Sequence, residues 1–161
     1  MLLCKNVCIY LPGEKQKKYT MKKLFIGMIL TLAPLATAFA QNVLGKWKLS
    51  TGTAIVEVYQ DGDAYNGKIV WLKNPTREDG SPAVDHNNPD EKLRSRQLIG
   101  LNMLSNLKKN GTEYSGGVIY DPANGKTYYC SMEVEGDILQ VRGSLDRRGF
   151  LGRTMDWFRV K

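Results

Sequence analysis

The chain has 161 residues, a length that suits one domain, and its formal net charge is +7. Six of the 23 basic residues, but only one of the 16 acidic residues, lie in residues 1–40. The other 121 residues hold 17 Lys and Arg against 15 Asp and Glu, which gives a net charge of +2. A near-neutral surface of mixed sign gives no electrostatic case for binding nucleic acid or an anionic membrane.

Residues 21–40 have the pattern of a secretory signal peptide. Two lysines begin the segment, an apolar run follows over residues 24–35, and Ala38-Phe39-Ala40 has the small-x-small form of a cleavage site. The apolar run is too short for an ordinary membrane span. We therefore expect cleavage after Ala40, a mature chain of residues 41–161 that spans no membrane, and a location in the periplasm or outside the cell.

Residues 1–20 precede this signal peptide and match no part of its pattern. The simpler interpretation is that translation starts at Met21 and that residues 1–20 are a mis-assigned extension; an unusually long basic leader is the alternative. Cys4 and Cys8 lie in the leader, so Cys130 is alone in the mature chain and no internal disulfide is expected. No cysteine directly follows Ala40, so lipid attachment there lacks its acceptor.

The mature chain has the pattern of a succession of short strands separated by turn residues. Residues 98–107 are ambiguous between strand and helix and are interpreted as a strand. Eight antiparallel strands joined mostly by short turns predict an all-β, closed up-and-down barrel, because closure removes exposed edges; a two-sheet sandwich is the competing architecture. The predicted strands are residues 45–49, 54–60, 64–72, 98–107, 113–120, 126–134, 138–144 and 153–160.

The one long connection, residues 73–97, carries a helix signal and most of the candidate chemistry. Asn88 can act as an N-cap with Pro89 at the first helical position, which predicts a short helix over Pro89–Ser95 at one barrel mouth. His86 is the only histidine of the chain and follows Asp85. The spacing of the acids fails the helix-loop-helix calcium pattern, and zinc would need more His or Cys ligands. Turn and cap chemistry is therefore favoured, with no metal or cofactor expected.

Alternation along the strands predicts which residues face the barrel interior. The inward face of the third strand would carry Tyr65, Gly67, Ile69 and Trp71, and that of the fifth strand Tyr114, Gly116, Val118 and Tyr120. An eight-stranded barrel can be filled by its own side chains or can hold a small ligand, and composition does not separate the two. If a cavity exists, its lining is predicted to include Tyr65, Ile69, Trp71, Val118, Tyr120 and Val141.

Two further positions have predicted structural roles. In an up-and-down barrel the first and last strands are neighbours, so Arg159 is expected to stack on Trp47 and close one end of the barrel. Cys130 lies within a strand, and the one candidate base, His86, is distant in sequence; a buried, unreactive thiol is the favoured interpretation. No nucleophile-elbow, phosphate-loop or zinc-protease motif occurs in the chain.

A set of motifs along nearly the whole mature chain carries a family resemblance. They are Gly45-x-Trp47, residues 67–72, Asp85-x-Asn87-Asn88-Pro89, Leu93-Arg94-x-Arg96, Gly100-Leu101, residues 120–128, Arg142-Gly143, Gly152-Arg153-Thr154 and Trp157-x-Arg159. In this combination the chain resembles the bacterial exported family called domain of unknown function 2147, and its two ends resemble those of lipocalins and related calycins. The resemblance implies a signal peptide and a lipocalin-like barrel. It implies no activity and no catalytic residues.

Three functions remain open from the sequence. The first is a periplasmic barrel that binds a small hydrophobic molecule, such as a lipid or fatty acid. The second is an envelope module with a self-packed barrel that binds another protein through its surface. The third, less favoured, is a small hydrolase or isomerase with Asp85, His86 and Asp121 at a barrel mouth, since no acid/base pair of the required geometry is visible in the sequence.

Overall fold

The computed structural model describes residues 42–161, so the predictions for residues 1–20 and 21–40 lie outside the described residues. The predicted fold is confirmed: eight antiparallel strands form a closed barrel in which each strand pairs with its neighbours in sequence and β8 pairs with β1. The strands are β1 Gly45–Leu49, β2 Ala54–Asp61, β3 Ala64–Leu72, β4 Asn102–Asn110, β5 Glu113–Asp121, β6 Lys126–Glu135, β7 Ile138–Ser144 and β8 Gly152–Arg159.

The strand β4 exists as predicted but begins four residues later than residue 98. Gly100 has a φ of +88°, a left-handed conformation that departs from regular extended backbone. The segment before β4 instead makes a local bridge, in which Gly100 donates to Ile69 O (2.7 Å) and Ile69 donates to Leu101 O (2.9 Å). The long connection therefore covers residues 73–101.

The helix predicted over Pro89–Ser95 is wrong in length and in its cap. The structure has a single 3-10 turn, Glu91–Leu93, whose N-cap is Asp90. Asn88, the predicted cap, is 4% exposed and its amide group faces a buried carboxylate. Within residues 42–161 there is no helix with the length and apolar character that crossing a membrane requires.

Two of the bulges in the barrel change the predicted inward faces of β5 and β3. On β5 the register against β6 shifts between Tyr114 and Gly117, where Gly116 has a φ of +80°. Ile119 is therefore buried, and Val118 lies on the opposite, outer face, so the predicted alternation is wrong beyond Gly116. Gly117 is required there, because a Cβ would overlap the backbone of β4.

The second bulge lies where β2 and β3 pair. Ile55 is opposite Trp71, but Val56 is opposite Ile69, so β3 has one extra residue at this point. The extra residue places Trp71 outside, with 42% of its surface exposed, whereas Ile69 is 2% exposed in the core. The predicted inward position of Trp71 is therefore wrong.

The connections fall at two ends, because successive strands run in opposite directions. The β2–β3, β4–β5 and β6–β7 turns share one end with residues 42–44 and the end of β8; we call it the closed end. The β1–β2, β3–β4, β5–β6 and β7–β8 connections share the other, which we call the loop end. The strands, their ladders and the buried core all lie within residues 43–159, as in an independently folding domain.

Candidate functional site

The closed end of the barrel is sealed by Arg159 and Trp47. Register places these two residues opposite each other on β8 and β1, and the guanidinium carbon of Arg159 lies 4.1 Å from the centroid of the Trp47 ring. Arg159 also donates to the carbonyl oxygens of Asn42 (2.8 Å) and Leu44 (3.3 Å). The indole N–H of Trp47 donates to Val43 O at 2.8 Å. This end therefore offers no path into the barrel.

The interior next to the closed end is filled by side chains. Residues on both sides of the barrel have no accessible surface, so a water-sized sphere finds no room beside them. A ligand therefore cannot occupy this half without repacking. The side chains with 0% exposure are Val43, Trp47, Val56, Leu104, Leu107, Leu139, Val141 and Trp157.

Near the loop end, β1 and β8 have no paired residues. The ladder between these strands comprises three residue pairs, from Trp47↔Arg159 to Leu49↔Trp157. Beyond it, β1 ends in a turn where Gly52 donates to Leu49 O at 2.8 Å. Residues 152–156 of β8 are paired with β7 alone among the described residues. This gap, which we call the seam, exposes the inner wall near the loop end.

Two side chains on the inner face of β8 are accessible at the seam. Trp157 is on this face, and alternation places Met155 and Arg153 on it too. The register agrees, because Met155 is opposite the buried Val141. Met155 is nevertheless 37% exposed, and Arg153 is exposed as well. Arg153 has no ion-pair partner in residues 42–161, so an inward-facing cation meets an apolar wall.

The wall beside Arg153 is apolar and is formed by Gly143 and its neighbours. Arg153 is opposite Gly143 on β7, which contributes no side chain. A Cβ at Gly143 would be 3.4 Å from Ile119 and 3.8 Å from Tyr128, so these two residues form the adjoining inner surface. We call Arg153, Met155, Gly143, Ile119 and Tyr128 the seam site. It combines an apolar surface with one unpaired positive charge.

A buried donor lies further along the same face of β8. The indole N–H of Trp157 is buried and has no hydrogen-bond partner among the described residues. Leaving a buried donor without an acceptor costs about 1–3 kcal/mol. Because Trp157 is fully buried, this unmatched donor belongs to the packed core and is not accessible from the seam.

The structure separates the six residues predicted to line a cavity. Ile69 and Val141 are in the filled core, and Tyr65 packs against the core with its ring edge-on to Tyr114 at 4.7 Å. Trp71 and Val118 are on the outer face, and Tyr120 lies under the long connection. Ligand binding by these six residues stays a prediction. Sequence reasoning missed Met155 and Arg153, although alternation backward from Trp157 would have found them.

Asp85 anchors the long connection to the barrel. Its carboxylate is fully buried and accepts hydrogen bonds from Tyr120 Oη (2.7 Å), Asn88 Nδ2 (2.8 Å) and Arg96 Nε (2.9 Å). A second guanidinium nitrogen of Arg96 lies 2.7 Å from the same carboxylate, and the guanidinium lies 5.4 Å from the centroid of the Tyr120 ring. Asn87 secures the next turn by donating to Ala123 O at 2.8 Å.

These contacts occupy both carboxylate oxygens of Asp85, so neither oxygen is free to act as a catalytic acid or base. Burial raises the pKa of Asp85, but the hydrogen bonds from Asn88, Tyr120 and Arg96 outweigh it and hold the pKa below its usual range. Burial, and then the bond to Asp85, raise the pKa of Tyr120. The side chain of His86 is exposed and makes no hydrogen bond or ion pair with the residues that the structure describes. The residues named for a hydrolase or isomerase therefore form no acid/base pair here.

Asp121 and Cys130 also have structural surroundings. The Asp121 carboxylate accepts from Ala123 N (3.0 Å) and Asn124 Nδ2 (2.9 Å), which orders the β5–β6 turn. Cys130 is 5% exposed, and burial raises the pKa of its thiol to about 12, so it stays protonated at neutral pH. Between residues 42 and 161, no three His, Cys, Asp or Glu side chains are grouped so that they could hold a metal ion.

Comparison with known proteins agrees with this architecture. A family model described as an uncharacterized protein conserved in bacteria (DUF2147) matches residues 45–159. A solved structure of a protein from the human pathogen Helicobacter pylori, described as belonging to the lipocalin family, superposes with a TM-score of 0.65. That protein is 28% identical, and the match covers 74% of this chain and 84% of that one. No curated protein matches the chain.

Proposed function

Because the chain belongs to the DUF2147 family of uncharacterized bacterial proteins, whose description assigns no activity, we propose a function from the geometry of the barrel. We propose that it binds a small amphipathic molecule, an apolar chain with one acidic group such as a fatty acid, at the seam site. In this proposal the barrel is exported after cleavage behind Ala40 and works in the periplasm or outside the cell. The lipocalin-family neighbour supports a binding role.

The observation that carries the proposal is the exposure of Arg153 and Met155 on the inner face of β8. Arg153 is exposed to water and has no acidic partner in residues 42–161, so its guanidinium is available to a ligand anion. A guanidinium commonly binds a carboxylate through two parallel hydrogen bonds. The apolar chain would then contact Met155, Ile119 and Tyr128, where it leaves water.

Native mass spectrometry of the protein purified from the periplasm is the first test. We expect a chain mass that begins at Gln41, together with an added mass that organic extraction removes. An apo mass that a panel of lipids leaves unchanged would overturn the proposal and would favour a protein-interaction module.

Ligand competition tests the site itself. A fluorescent fatty acid would be displaced by palmitate and, more weakly, by hexadecanol, which has the same chain length without the acid. Arg153→Gln is expected to weaken palmitate binding about tenfold and hexadecanol binding little, because a charge-assisted hydrogen bond is worth about 1.5 kcal/mol or more. Met155→Asp should weaken both ligands, since it places an anion on the apolar wall.

The matched control is Arg77→Gln, which removes an arginine whose side chain has no ion pair in the described chain. It should leave both affinities unchanged. Equal losses for palmitate and hexadecanol in Arg153→Gln would exclude Arg153 as the partner of the acid. Unchanged binding in Met155→Asp would exclude the seam as the site.

A further inference from the structure

The β7–β8 connection, residues 145–151, presents the most exposed large apolar side chains in the described part of the protein. Leu145, Phe150 and Leu151 are 70%, 78% and 68% exposed, and the next in rank, Phe158, is 47% exposed. Isolated exposed apolar residues are ordinary on a protein surface. Three of them lie on one seven-residue connection, and exposed apolar groups gathered in this way are typical of surfaces that contact a partner.

This connection is fixed in shape by its own polar groups. The Asp146 carboxylate accepts from the backbone amides of Phe150 (3.1 Å) and Leu151 (2.6 Å), and Leu145 N donates to Leu151 O (3.0 Å). From β7, Arg142 Nε donates to Gly149 O at 3.0 Å. The apolar side chains are thus held in solvent by an ordered backbone, so little conformational entropy would be lost on docking.

Two cations and a groove lie beside the patch. Arg147 and Arg148 are exposed, and neither has an ion-pair partner in residues 42–161. A groove of about 370 Å³ on the outer wall is lined by these arginines with Arg142 and by the hydroxyl side chains of Ser131 and Ser144. One carboxylate, that of Glu113, also lines it, so the three arginines outnumber the acid. Guanidinium and hydroxyl groups are common partners of a phosphate group.

We propose that this connection docks the barrel onto an anionic phospholipid surface. Leu145, Phe150 and Leu151 enter the boundary between headgroups and acyl chains, and Arg147 and Arg148 bind lipid phosphates. A bilayer fits the combination because it offers apolar depth and negative charge on one face. The net charge of residues 41–161 is only +2, so composition did not indicate that two arginines lie beside exposed apolar side chains.

Docking is independent of the ligand at the seam site, although both lie at the loop end. It would bring the seam toward the surface from which an amphipathic molecule would come. Arg153 belongs to the seam and is left unchanged in the docking variants. Failure of one proposal therefore does not imply failure of the other.

Co-sedimentation with vesicles tests the docking, with the protein that begins at Gln41. At low ionic strength we expect binding to vesicles of phosphatidylcholine with one quarter phosphatidylglycerol, and much weaker binding to phosphatidylcholine alone. Arg147→Gln with Arg148→Gln should reduce the preference for the anionic vesicles about tenfold or more, since each arginine near such a surface contributes roughly fivefold. Phe150→Ser with Leu151→Ser should reduce binding to both vesicle types at least tenfold.

Phe158→Ser is the matched control, because it removes an exposed aromatic side chain near the closed end. It should sediment as the unchanged protein does. A second readout is Phe150→Trp, whose added fluorescence should shift to shorter wavelength with anionic vesicles, whereas that of Phe158→Trp should not. Absence of sedimentation with anionic vesicles, or loop variants that sediment like the unchanged protein, would overturn the proposal.

Discussion

Asp85 is the residue on which the placement of the long connection depends most. Asp85→Ala would leave the Arg96 cation, the Tyr120 hydroxyl and the Asn88 amide without their shared acceptor. Breaking a buried pair costs about 3–5 kcal/mol, and because Arg96 is 36% exposed and can turn to water we expect roughly 2–3 kcal/mol. Urea unfolding measures this loss. Glu78→Ala, which removes an exposed carboxylate from the same connection that makes no hydrogen bond or ion pair with the described residues, should leave the midpoint unchanged.

The pH dependence of Asp85 gives an independent check on this assignment. Its folded pKa lies below the unfolded value of about 3.9, so its contribution is complete above that value and is lost as pH falls through the folded pKa. The stability difference between the unchanged protein and Asp85→Asn should therefore be constant near neutrality and shrink below about pH 4. A difference that stayed constant down to pH 2 would contradict an ionised Asp85.

Single residues were the hardest scale to predict from sequence. Several residues between 85 and 90 can cap a helix, so the sequence offers more than one helix start there. The position of Pro89 favoured Asn88 as the cap. In the structure Asp90 caps the 3-10 turn, and Asn88 does two things at once: its Nδ2 donates to the buried Asp85 carboxylate and its Oδ1 accepts from Asp90 N at 2.9 Å. Asp85 could not be identified as the anchor, since Tyr120 is 35 residues away in sequence.

At the scale of elements, one side chain reinforces the short ladder between β1 and β8. Arg159 stacks on Trp47, donates to two carbonyl oxygens of the preceding segment, and lies 3.4 Å from Asp137. Arg159→Met keeps the aliphatic stem but loses these polar contacts. We expect a loss of about 1–3 kcal/mol, with a fall of roughly 4 °C in Tm per kcal/mol.

Calorimetry with a matched variant checks this prediction. Lys161→Met removes the other cation near Asp137. The Lys161 side chain is 87% exposed, and its ammonium group lies 3.6 Å from the Asp137 carboxylate. Its Tm should change little, because an exposed ion pair contributes almost nothing. If both variants lost the same amount, the pairing with Asp137 would matter more than the stacking on Trp47.

Strand existence was predictable, but strand faces were predictable only up to the first bulge. Alternation gave the buried positions of β2 and β7 because those strands carry β-branched and aliphatic residues at every second position. It failed beyond Gly116 on β5 and beyond Ile69 on β3, where one extra residue reverses the faces. A bulge depends on the partner strand, so a single strand's sequence does not reveal it.

Across the whole molecule, the two ends of the barrel differ in how completely their contacts are satisfied. At the closed end, the Arg159 guanidinium and the Trp47 indole have partners, and the interior is filled. At the loop end, an inward arginine lacks an acid and an ordered connection exposes three large apolar side chains. Groups left without partners by an otherwise well-packed fold are the ones to examine for contacts with other molecules.

This asymmetry predicts a gradient of backbone protection along β8. Residues 152–156 pair with β7 alone among the described residues, whereas residues 157–159 pair with both β7 and β1 or their extensions. Amides without a ladder partner are open to water, so amide hydrogen exchange followed by NMR should be fast for part of 152–156 and slow for 157–159. Strand β7, paired on both sides along its length, serves as the internal reference.

Adding palmitate sharpens this test. Under the proposed binding mode the carboxylate of palmitate binds Arg153 and its apolar chain covers Met155, so amide exchange should slow in residues 152–156. In β5, amide exchange should remain unchanged except near Ile119, which belongs to the seam site. If 152–156 were as protected as β7 without ligand, the barrel would be closed in solution along its full height. The seam could then admit a ligand only after β1 and β8 separate, and palmitate binding should be slow and independent of palmitate concentration once that opening limits the rate.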